Sequence, residues 1–550
     1  MSSNDPGAPA DKPAAPANRI STKAAGLVSL AVMSSRLLGL VREQVFAALF
    51  GAGAQMDAFI AAFRAPNLLR DLFAEGALST AFITIFSEKI TKEGEQSAWR
   101  LANKVATLTA VFMSAITLIG IAAAPFITHL LASGFANEPG KMELTIQLTR
   151  IMFPFIALVS LAALVMGMLN ARNVFGMPAM ASTFFNLGSV IGGVTLAWIL
   201  DPKFGTKDYG PESLVGMAIG VVIGGTLQLL VQFPALRRVG FRFRPDFAWR
   251  DPGVRRILYL MGPAVIAASA VQVNVMVNGN FASHLGNGPV SWLGYAFRLM
   301  QLPIGIFGVA IGTVTLPVIS RSAAAGNTDE FRSILARGMR LAFLLTIPST
   351  IGLAFLARPI ISVIYERRKF GPADTLATAE ALQFYAIGLA AYAGIKVLAP
   401  AFYAIGKKNT PMFVSFFSIA TNYFLNQYFT FHLGWGHRGL AFSTGLVALT
   451  NFGLLYFLMH RHTGRLETRQ MIATLAKLAL SGAVLAALCW SAEHWLFAGW
   501  AGFSFLTRLA LLLGVIAVAG GSFFATAMLL RIEELDDITA LIRRKLRRRS

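Results

Sequence analysis

SSRLLGLVREQVFAALFGAGAQMDAFIAAFRAPNLLRDLFAEGALSTAFITIFSE, from Ser34 to Glu88, is the stretch that decides how the chain must fold. Its spacing predicts two long apolar helices, yet they carry Arg36, Arg42, Glu43, Asp57, Arg64, Arg70, Asp71 and Glu75. If Arg36, Arg42, Arg64, Arg70 and a later intramembrane arginine, Arg298, all faced lipid, insertion would cost about 15 kcal/mol at roughly 3 kcal/mol each. That is comparable to the stability of a whole domain. These side chains must therefore line a wet cavity or pair within a helix bundle.

The remainder of the chain supplies the bundle. Its 550 residues are 55% hydrophobic and 14% charged, with a mean hydropathy of +0.61. Apolar runs long enough to cross a bilayer recur from Ala24 to Leu530, which predicts an all-α, polytopic membrane protein. The runs are too long and continuous for the alternating pattern of a membrane β-barrel, and no domain-sized polar segment exists. A net charge of +21 fits Lys and Arg gathered in cytoplasmic loops against anionic lipid, and does not imply nucleic acid. The single cysteine, Cys489, excludes an intramolecular disulfide framework and reads as a packing residue.

Fourteen spans are predicted, near 24–50, 56–88, 98–133, 143–170, 177–200, 211–238, 253–284, 288–321, 329–365, 373–404, 410–432, 437–460, 469–494 and 502–530. The even count puts both termini on one side. Basic residues gather on that side, among them Lys89, Lys92, Arg100, Lys104, Arg172, Arg237, Arg238, Lys407, Lys408, Arg461 and the tail Arg543–Arg549, so both ends are expected to be cytoplasmic. Arg367, Arg368 and Lys369 dissent, falling on the outer side. Residues 1–23 predict a disordered tail leading into an uncleaved first span. Residues 240–256 interleave Phe and Trp with Arg, which suits an interfacial linker on anionic phospholipid; a solvated basic loop is the alternative.

An internal repeat organises the spans. Ala62-Phe63-Arg64 recurs as Ala296-Phe297-Arg298, an offset of 298 − 64 = 234. Phe73 then matches Phe307, and Pro125-Phe126-Ile127 matches Pro359-Ile360-Ile361. An even number of spans separates the copies, so two six-helix lobes are expected, related by a pseudo-twofold axis along the membrane normal. The first lobe would cover 24–239 and the second 257–465. Spans 13 and 14, within 466–530, lie outside the duplication, and 531–550 form a basic tail. Gly188/Gly192 and Gly216/Gly220/Gly224 put small residues one turn apart and predict close helix packing.

The charges divide by residue type. Arginine stays ionised and matches phosphate oxygens two at a time, so Arg36, Arg42, Arg70 and Arg298 are candidate anion ligands. Glu43, Asp57, Arg64 and Glu75 are candidates for gating or charge balance, and Lys396 is a secondary cation. An internal ion-pair network locking spans 1, 2 and 8 is the competing reading. Counted with Arg64, five arginines face four acids (Glu43, Asp57, Asp71, Glu75), an excess of one. Gln272, Asn274, Asn278, Asn280, Asn422, Asn426 and Gln427 are more simply read as hydrogen-bonding across helices than as ligands for sugar or an ion. No P-loop, zinc-ligand pattern or nucleophile elbow is found, so no metal or cofactor is expected, and transport would have to draw on an ion gradient or the membrane potential.

Several motifs together resemble a known family. Ser35-Arg36-Leu37-Leu38-Gly39 with Arg42, Phe50-Gly51-Ala52-Gly53, Asp57-Ala58-Phe59, Pro66-Asn67-Leu68-Leu69-Arg70 and Phe73-Ala74-Glu75-Gly76-Ala77 are similar to the opening of the MurJ (MviN) lipid II flippases, of the multidrug/oligosaccharidyl-lipid/polysaccharide exporter superfamily. Tyr295-Ala296-Phe297-Arg298-Leu299-Met300, Gly308–Thr313 and Lys396–Tyr403 extend the likeness over about residues 24–460. The resemblance implies a transporter, not an enzyme. It would move undecaprenyl-diphosphate-linked disaccharide-pentapeptide from the inner to the outer leaflet of a bacterial plasma membrane by alternating access. Arg36, Arg42, Arg70 and Arg298 would engage the diphosphate, Asp57 would also matter, and the last two helices would form a groove for the lipid tail. A monomer is expected. Glu43 stands where an Asp is usual and Asp71 where many relatives are basic, which alters the charge balance. A polysaccharide-lipid or multidrug exporter, and less so a membrane glycosyltransferase, are the alternatives; five arginines favour an anionic cargo, and the short outer loops offer little catalytic surface.

Overall fold

The computed structural model describes residues 22–72, 78–206 and 209–535. Glu75, Phe73 of the repeat, residues 1–21 of the expected tail and the basic residues from 536 onward lie outside the described residues. Among those described, the regular elements are helices and no strand occurs.

The first half runs α1 (Thr22–Phe50), α2 (Ala54–Leu69), α3 (Ser79–Glu93), α4 (Glu95–Ala122), α5 (Ala124–Ala132), α6 (Lys141–Met152), α7 (Phe155–Ala171), α8 (Gly176–Leu200) and α9 (Glu212–Leu230), followed by the short α10 (Phe233–Arg238). The second runs α11 (Pro252–Ser283), α12 (Pro289–Pro303), α13 (Val309–Ala324), α14 (Thr328–Phe355), α15 (Ala357–Tyr365), α16 (Pro372–Ala386), α17 (Leu389–Ala404), α18 (Asn409–Asn426) and α19 (His437–Thr463). α20 (Thr468–Ser491) and α21 (Phe505–Leu529) complete the chain.

Packing follows the same plan twice. α1 packs on α8 as α11 packs on α18; α2 on α6 as α12 on α16; α3 on α7 as α13 on α17; and α8 on α9 as α18 on α19. Even the irregularities repeat. A π-helical turn begins at Arg70 after α2 and at Ile304 after α12, again 304 − 70 = 234 residues apart. Pro66 and Pro303 lie just upstream, each removing an amide donor and loosening the helical register.

Nine stretches among the described residues are long and apolar enough to cross a membrane, or ten if α16 and α17, bent by 44°, form one span. α2, with 16 residues, and α18 are not among them; α2 carries Asp57 and Arg64, and α18 carries Asn422 and Asn426. The chain spends its apolarity where lipid is met and its polarity where helices face one another.

Among the described residues, the two halves share their largest core at one face. Phe46, Phe50, Met56 and Phe59 of the first half pack in one cluster with Val290, Leu293, Tyr295 and Tyr365 of the second. At the opposite face the cores are separate. Phe82, Phe86, Leu101 and Leu169, joined by Val254 and Ile257 at the start of α11, form one, and Phe331, Leu335, Phe402 and Met459 form another that extends to α20 and α21. The first face is called the joined face below and the second the split face. At the split face residues 241–250 run extended along α4: the Arg244 amide donates to Asn103 Oδ1 (2.8 Å), the Asp246 amide to Thr107 Oγ1 (3.0 Å), and Lys104 pairs with Asp251 (2.6 Å). Burial alone would raise the Asp251 carboxyl, but Lys104 and the Gly253 amide more than offset it and hold it below its ordinary value.

α8 and α9 approach closely because glycines face one another, as the small-residue spacing predicts. A Cβ on Gly220 would lie 2.6 Å from the Gly193 nitrogen and 2.7 Å from the Ser189 carbonyl oxygen, both backbone atoms that cannot step aside. Gly220→Ala is expected to lower stability by about 1–3 kcal/mol through overpacking, whereas Gly514→Ala, in open space on α21, should not lower it. Thermal unfolding of the purified protein in detergent checks both, and equal midpoints would contradict this packing.

Candidate functional site

Three of the four arginine candidates for anion binding meet along the seam between the halves, and the fourth lies against the same seam. Arg298 of α12 reaches across to form an ion pair with Glu43 of α1. The pair is unequal: the Glu43 side chain is 11% exposed and that of Arg298 51%, so the guanidinium is open to solvent on one side. Tyr365 adds a long hydroxyl contact to Glu43 at 3.4 Å. Arg42 lies 5.1 Å from the centre of the Phe185 ring, with Arg298, Glu43 and Arg70 as its charged neighbours. Its Nε is buried and has no hydrogen-bond partner among the described residues. Arg70, in the π-helical turn, pairs with Asp71 at 3.0 Å, and Gln272 of α11 reaches the same carboxylate at 3.4 Å. Arg36 is exposed on α1 and rests against Gly305 in the matching π-helical turn, where a Cβ would lie 2.9 Å from Nη1.

The charge count changes once Asp57 is located, because it serves elsewhere. Its carboxylate is fully buried at the joined face and accepts from Lys141 Nζ (3.0 Å), the Gly288 amide (2.7 Å), the Ser291 amide (2.8 Å) and Ser291 Oγ (2.6 Å). Lys141 is itself 3% exposed and also donates to the Gly286 carbonyl (3.1 Å) and Asn287 Oδ1 (2.9 Å). The carboxylate thus sits at the amino end of α12, where free amides and the helix dipole favour negative charge. Ser291 is also the repeat counterpart of Asp57, since 291 − 57 = 234. Two equivalent positions touch each other only on or beside the pseudo-twofold axis, so this latch lies at the centre of the seam. Asp57 is therefore withdrawn from the arginine group, in which Arg298 pairs with Glu43 and Arg70 with Asp71.

Other candidates lie apart from this group. Arg64, the repeat counterpart of Arg298, crosses in the mirrored sense and packs over Gly279 of α11, leaving no room for a Cβ there, with Tyr385 nearby. No carboxylate meets it among the described residues, where the position matching Glu43 is Val277 (43 + 234). Lys396 is exposed on α17, and no hydrogen bond or ion pair to its side chain is found among the described residues. Asn422 and Asn426 both donate to Asn278 Oδ1, at 2.8 and 2.7 Å, and Asn278 donates to Thr444, so these amides join α11, α18 and α19 as cross-helix ties. No cluster of three His, Cys, Asp or Glu suited to a metal occurs among the described residues.

Lys141, Gly288 and Ser291 went unnoticed in the sequence. The signals were present: Ser291 lies at the repeat offset from Asp57, and Lys141 opens α6, where a cation opposes the helix dipole unless something else holds it. Arg340 of α14 was missed as well; it is 5% exposed and pairs with Glu467 (2.8 Å) and with Glu534, tying α20 and the segment after α21 to the second half.

Comparison with known proteins places this arrangement. The sequence profile described as lipid II flippase MurJ matches residues 46–511. The chain belongs to the MurJ family. A probable lipid II flippase MurJ from Vibrio cholerae is 35% identical over 522 residues, covering 94% of this chain and 97% of the relative. A lipid II flippase MurJ from Burkholderia cenocepacia is 37% identical over 441 residues, 80% of this chain and 83% of the relative. A solved structure titled lipid II flippase MurJ, inward closed conformation, aligns with a TM-score of 0.72 at 26% identity, covering 91% of this chain and 99% of that one. An inward-facing MATE multidrug transporter of the MOP superfamily aligns at 0.65 with 15% identity, covering 81% of this chain and 99% of that one, which establishes a common fold. As a MurJ family member the chain is a multi-pass membrane transporter and not an enzyme.

The latch generates a test. Asp57→Ala leaves Lys141 buried without its counter-charge, which is expected to cost the joined face about 3–5 kcal/mol. A Val290→Cys reporter, 2% exposed in the intact protein, should then react with a membrane-impermeant maleimide. Adding Lys141→Ala should restore part of the protection by removing the stranded cation; the same reactivity in all backgrounds would mean the pair does not hold the face shut.

Proposed function

We propose that this protein flips lipid II, the undecaprenyl-diphosphate-linked disaccharide-pentapeptide, from the cytoplasmic to the periplasmic leaflet of a bacterial inner membrane by alternating access of its two halves. The observation that carries the reading is the seam cluster: Arg42, Arg70 and Arg298 gathered with Arg36 close by, and Arg298 half open to solvent. A diphosphate cannot enter hydrocarbon unassisted, and a cluster of guanidiniums replaces its hydration with charge-assisted hydrogen bonds.

In this reading the joined face is periplasmic, the split face is cytoplasmic, and both termini are cytoplasmic. The headgroup enters between the separated cores and reaches the arginines. Arg298, held by Glu43 in the empty state, is handed to a phosphate oxygen, which frees Glu43. Because the Arg298–Glu43 pair bridges the halves, exchanging its carboxylate for phosphate removes one of the ties across the seam. The Asp57 latch then opens toward the periplasm. The ligand acts through its different affinity for the two states. The polyprenyl tail stays in lipid, against α20 and α21, the least buried of the apolar helices.

An ion gradient or the membrane potential supplies the energy, the protein works as a monomer, and the extended segment 241–250, with Phe243, Phe247 and Trp249 exposed beside Arg242, Arg244 and Arg250, rests on anionic phospholipid at the cytoplasmic face. No role in binding nucleic acid is assigned to its positive charge.

Transport of labelled lipid II in proteoliposomes tests the proposal. Arg298→Ala is expected to reduce flipping at least tenfold, given about 1.5–3 kcal/mol for a hydrogen bond to a charged group. Arg100→Ala, exposed at the split face, should leave it unchanged. Headgroup accessibility unaffected by active protein, or equal tolerance of the two substitutions, would overturn the reading.

A further inference from the structure

The basic residues Arg367, Arg368 and Lys369, at the joined face, take no part in the transport cycle above, and the structure separates their roles. Arg367 is consumed internally: its guanidinium donates to the Ile364 (2.6 Å) and Val363 (3.0 Å) carbonyls at the end of α15 and lies 4.7 Å from the centre of the Phe505 ring. Lys369 places its ammonium 3.3 Å from the centre of the Tyr209 ring, and its amide donates to the Ala48 carbonyl (3.2 Å), linking this second-half loop to α1. Arg368 differs from both. It is exposed, it adopts a left-handed backbone with φ of 52° that non-glycine residues disfavour, and no hydrogen bond, ion pair or ring contact engages its side chain among the described residues.

Arg368 lines two adjoining hollows of about 520 Å³ each. One is a groove between α1 and α8 whose wall is Val45, Leu49, Val190, Ile191 and Val194; the other lies beside Gly205, Tyr209 and Lys369. An apolar groove on the outside of the helix bundle with a cationic rim matches an amphiphile: the wall suits a hydrocarbon chain, and the guanidinium suits a phosphate at headgroup depth. A free anion would gain nothing from the wall, and a neutral lipid nothing from the arginine. The wall belongs to the first half and the cation to the second, so the site is complete only while the joined face is closed.

We infer that the α1–α8 groove and Arg368 form a binding site for an anionic diacyl phospholipid of the leaflet at the joined face, and that its occupation stabilises the closed state of that face. A ligand held by both halves binds the joined state more tightly than the separated one and shifts the equilibrium by that difference. The positive charge on the outer side thereby acquires a purpose, and the leaflet's anionic content becomes a regulator of the cycle. The inference rests on the alternating-access reading for the existence of a separated state.

The test uses the full chain carrying Lys203→Cys, in the loop after α8, and Ala373→Cys, in the first turn of α16, exposed positions of the first and second half at this face, labelled as a distance pair in nanodiscs. In phosphatidylcholine discs enriched with phosphatidylglycerol, the short-distance population is expected to rise about fivefold relative to phosphatidylcholine alone, the scale of one arginine at an anionic surface. Arg368→Gln should abolish the rise, and Lys408→Gln, a basic residue of the split face, should leave it intact. Native mass spectrometry should find phosphatidylglycerol retained by the parent chain and lost from Arg368→Gln. Two populations that ignore lipid charge, or an Arg368→Gln chain that responds like the parent, would overturn the inference while leaving alternating access standing. A single distance under every condition would overturn both. A rise that requires added polyprenyl diphosphate would assign the groove to transported lipid and overturn the phospholipid site.

Discussion

A guanidinium inside a membrane protein must find a counter-charge, water, a ring or a ligand, and this requirement organises the molecule. Arg298 finds Glu43 and Arg70 finds Asp71; Arg42 lies against Phe185, while Arg36 and Arg64 are laid over glycine backbones. Each solution uses a different element of the seam. Lipid accepts the apolar faces of the helices that carry these residues but not their guanidiniums, so the charged faces turn toward one another across the seam. The site and the fold have a common cause: polarity that lipid will not accept gathers between two halves.

Duplication supplies the geometry, and departures from symmetry supply the chemistry. Packing pairs, proline breaks and π-helical turns recur at one offset, so the backbone of each half prepares the same positions. The side chains then diverge. Arg298 meets a carboxylate across the seam while its counterpart Arg64 meets glycine; Asp57 is answered on the axis by Ser291, a donor, where a second acid would have repelled it. A symmetric seam would repel at the axis or neutralise everywhere. The asymmetry closes one face firmly while leaving the Arg298 guanidinium half exposed below it.

Closure at the joined face combines an apolar core with one buried ion pair, and these respond differently to change. The core of Phe46, Phe59, Leu293 and Tyr365 favours contact without direction. Asp57 with Lys141, Gly288 and Ser291 fixes register, because its carboxylate is satisfied in one arrangement only. Such a contact breaks as a unit, which suits the two-state face that the proposed cycle requires.

Periodicity and charge made much of this legible beforehand. The apolar runs dictated an all-α membrane protein because only helices satisfy their own backbone in lipid, the 234-residue offset dictated two matched halves, and buried arginines demanded an interior polar seam. What the linear chain withheld was pairing. Glu43 lies seven residues from Arg36 on one helical stripe, yet its partner is Arg298 from the other half; Asp57 lies seven from Arg64, yet it is taken by Lys141 and by the amino end of α12. The repeat offset pointed to Ser291, a cation at the start of α6 marked Lys141, and residues 367–369 stood out as a basic cluster, but nothing in the order of residues showed that Lys141 meets Asp57 or that Arg368 rims a groove. Local spacing governs which face of a helix a side chain occupies; which face it meets is set by the crossing of distant helices, and that was decided in three dimensions.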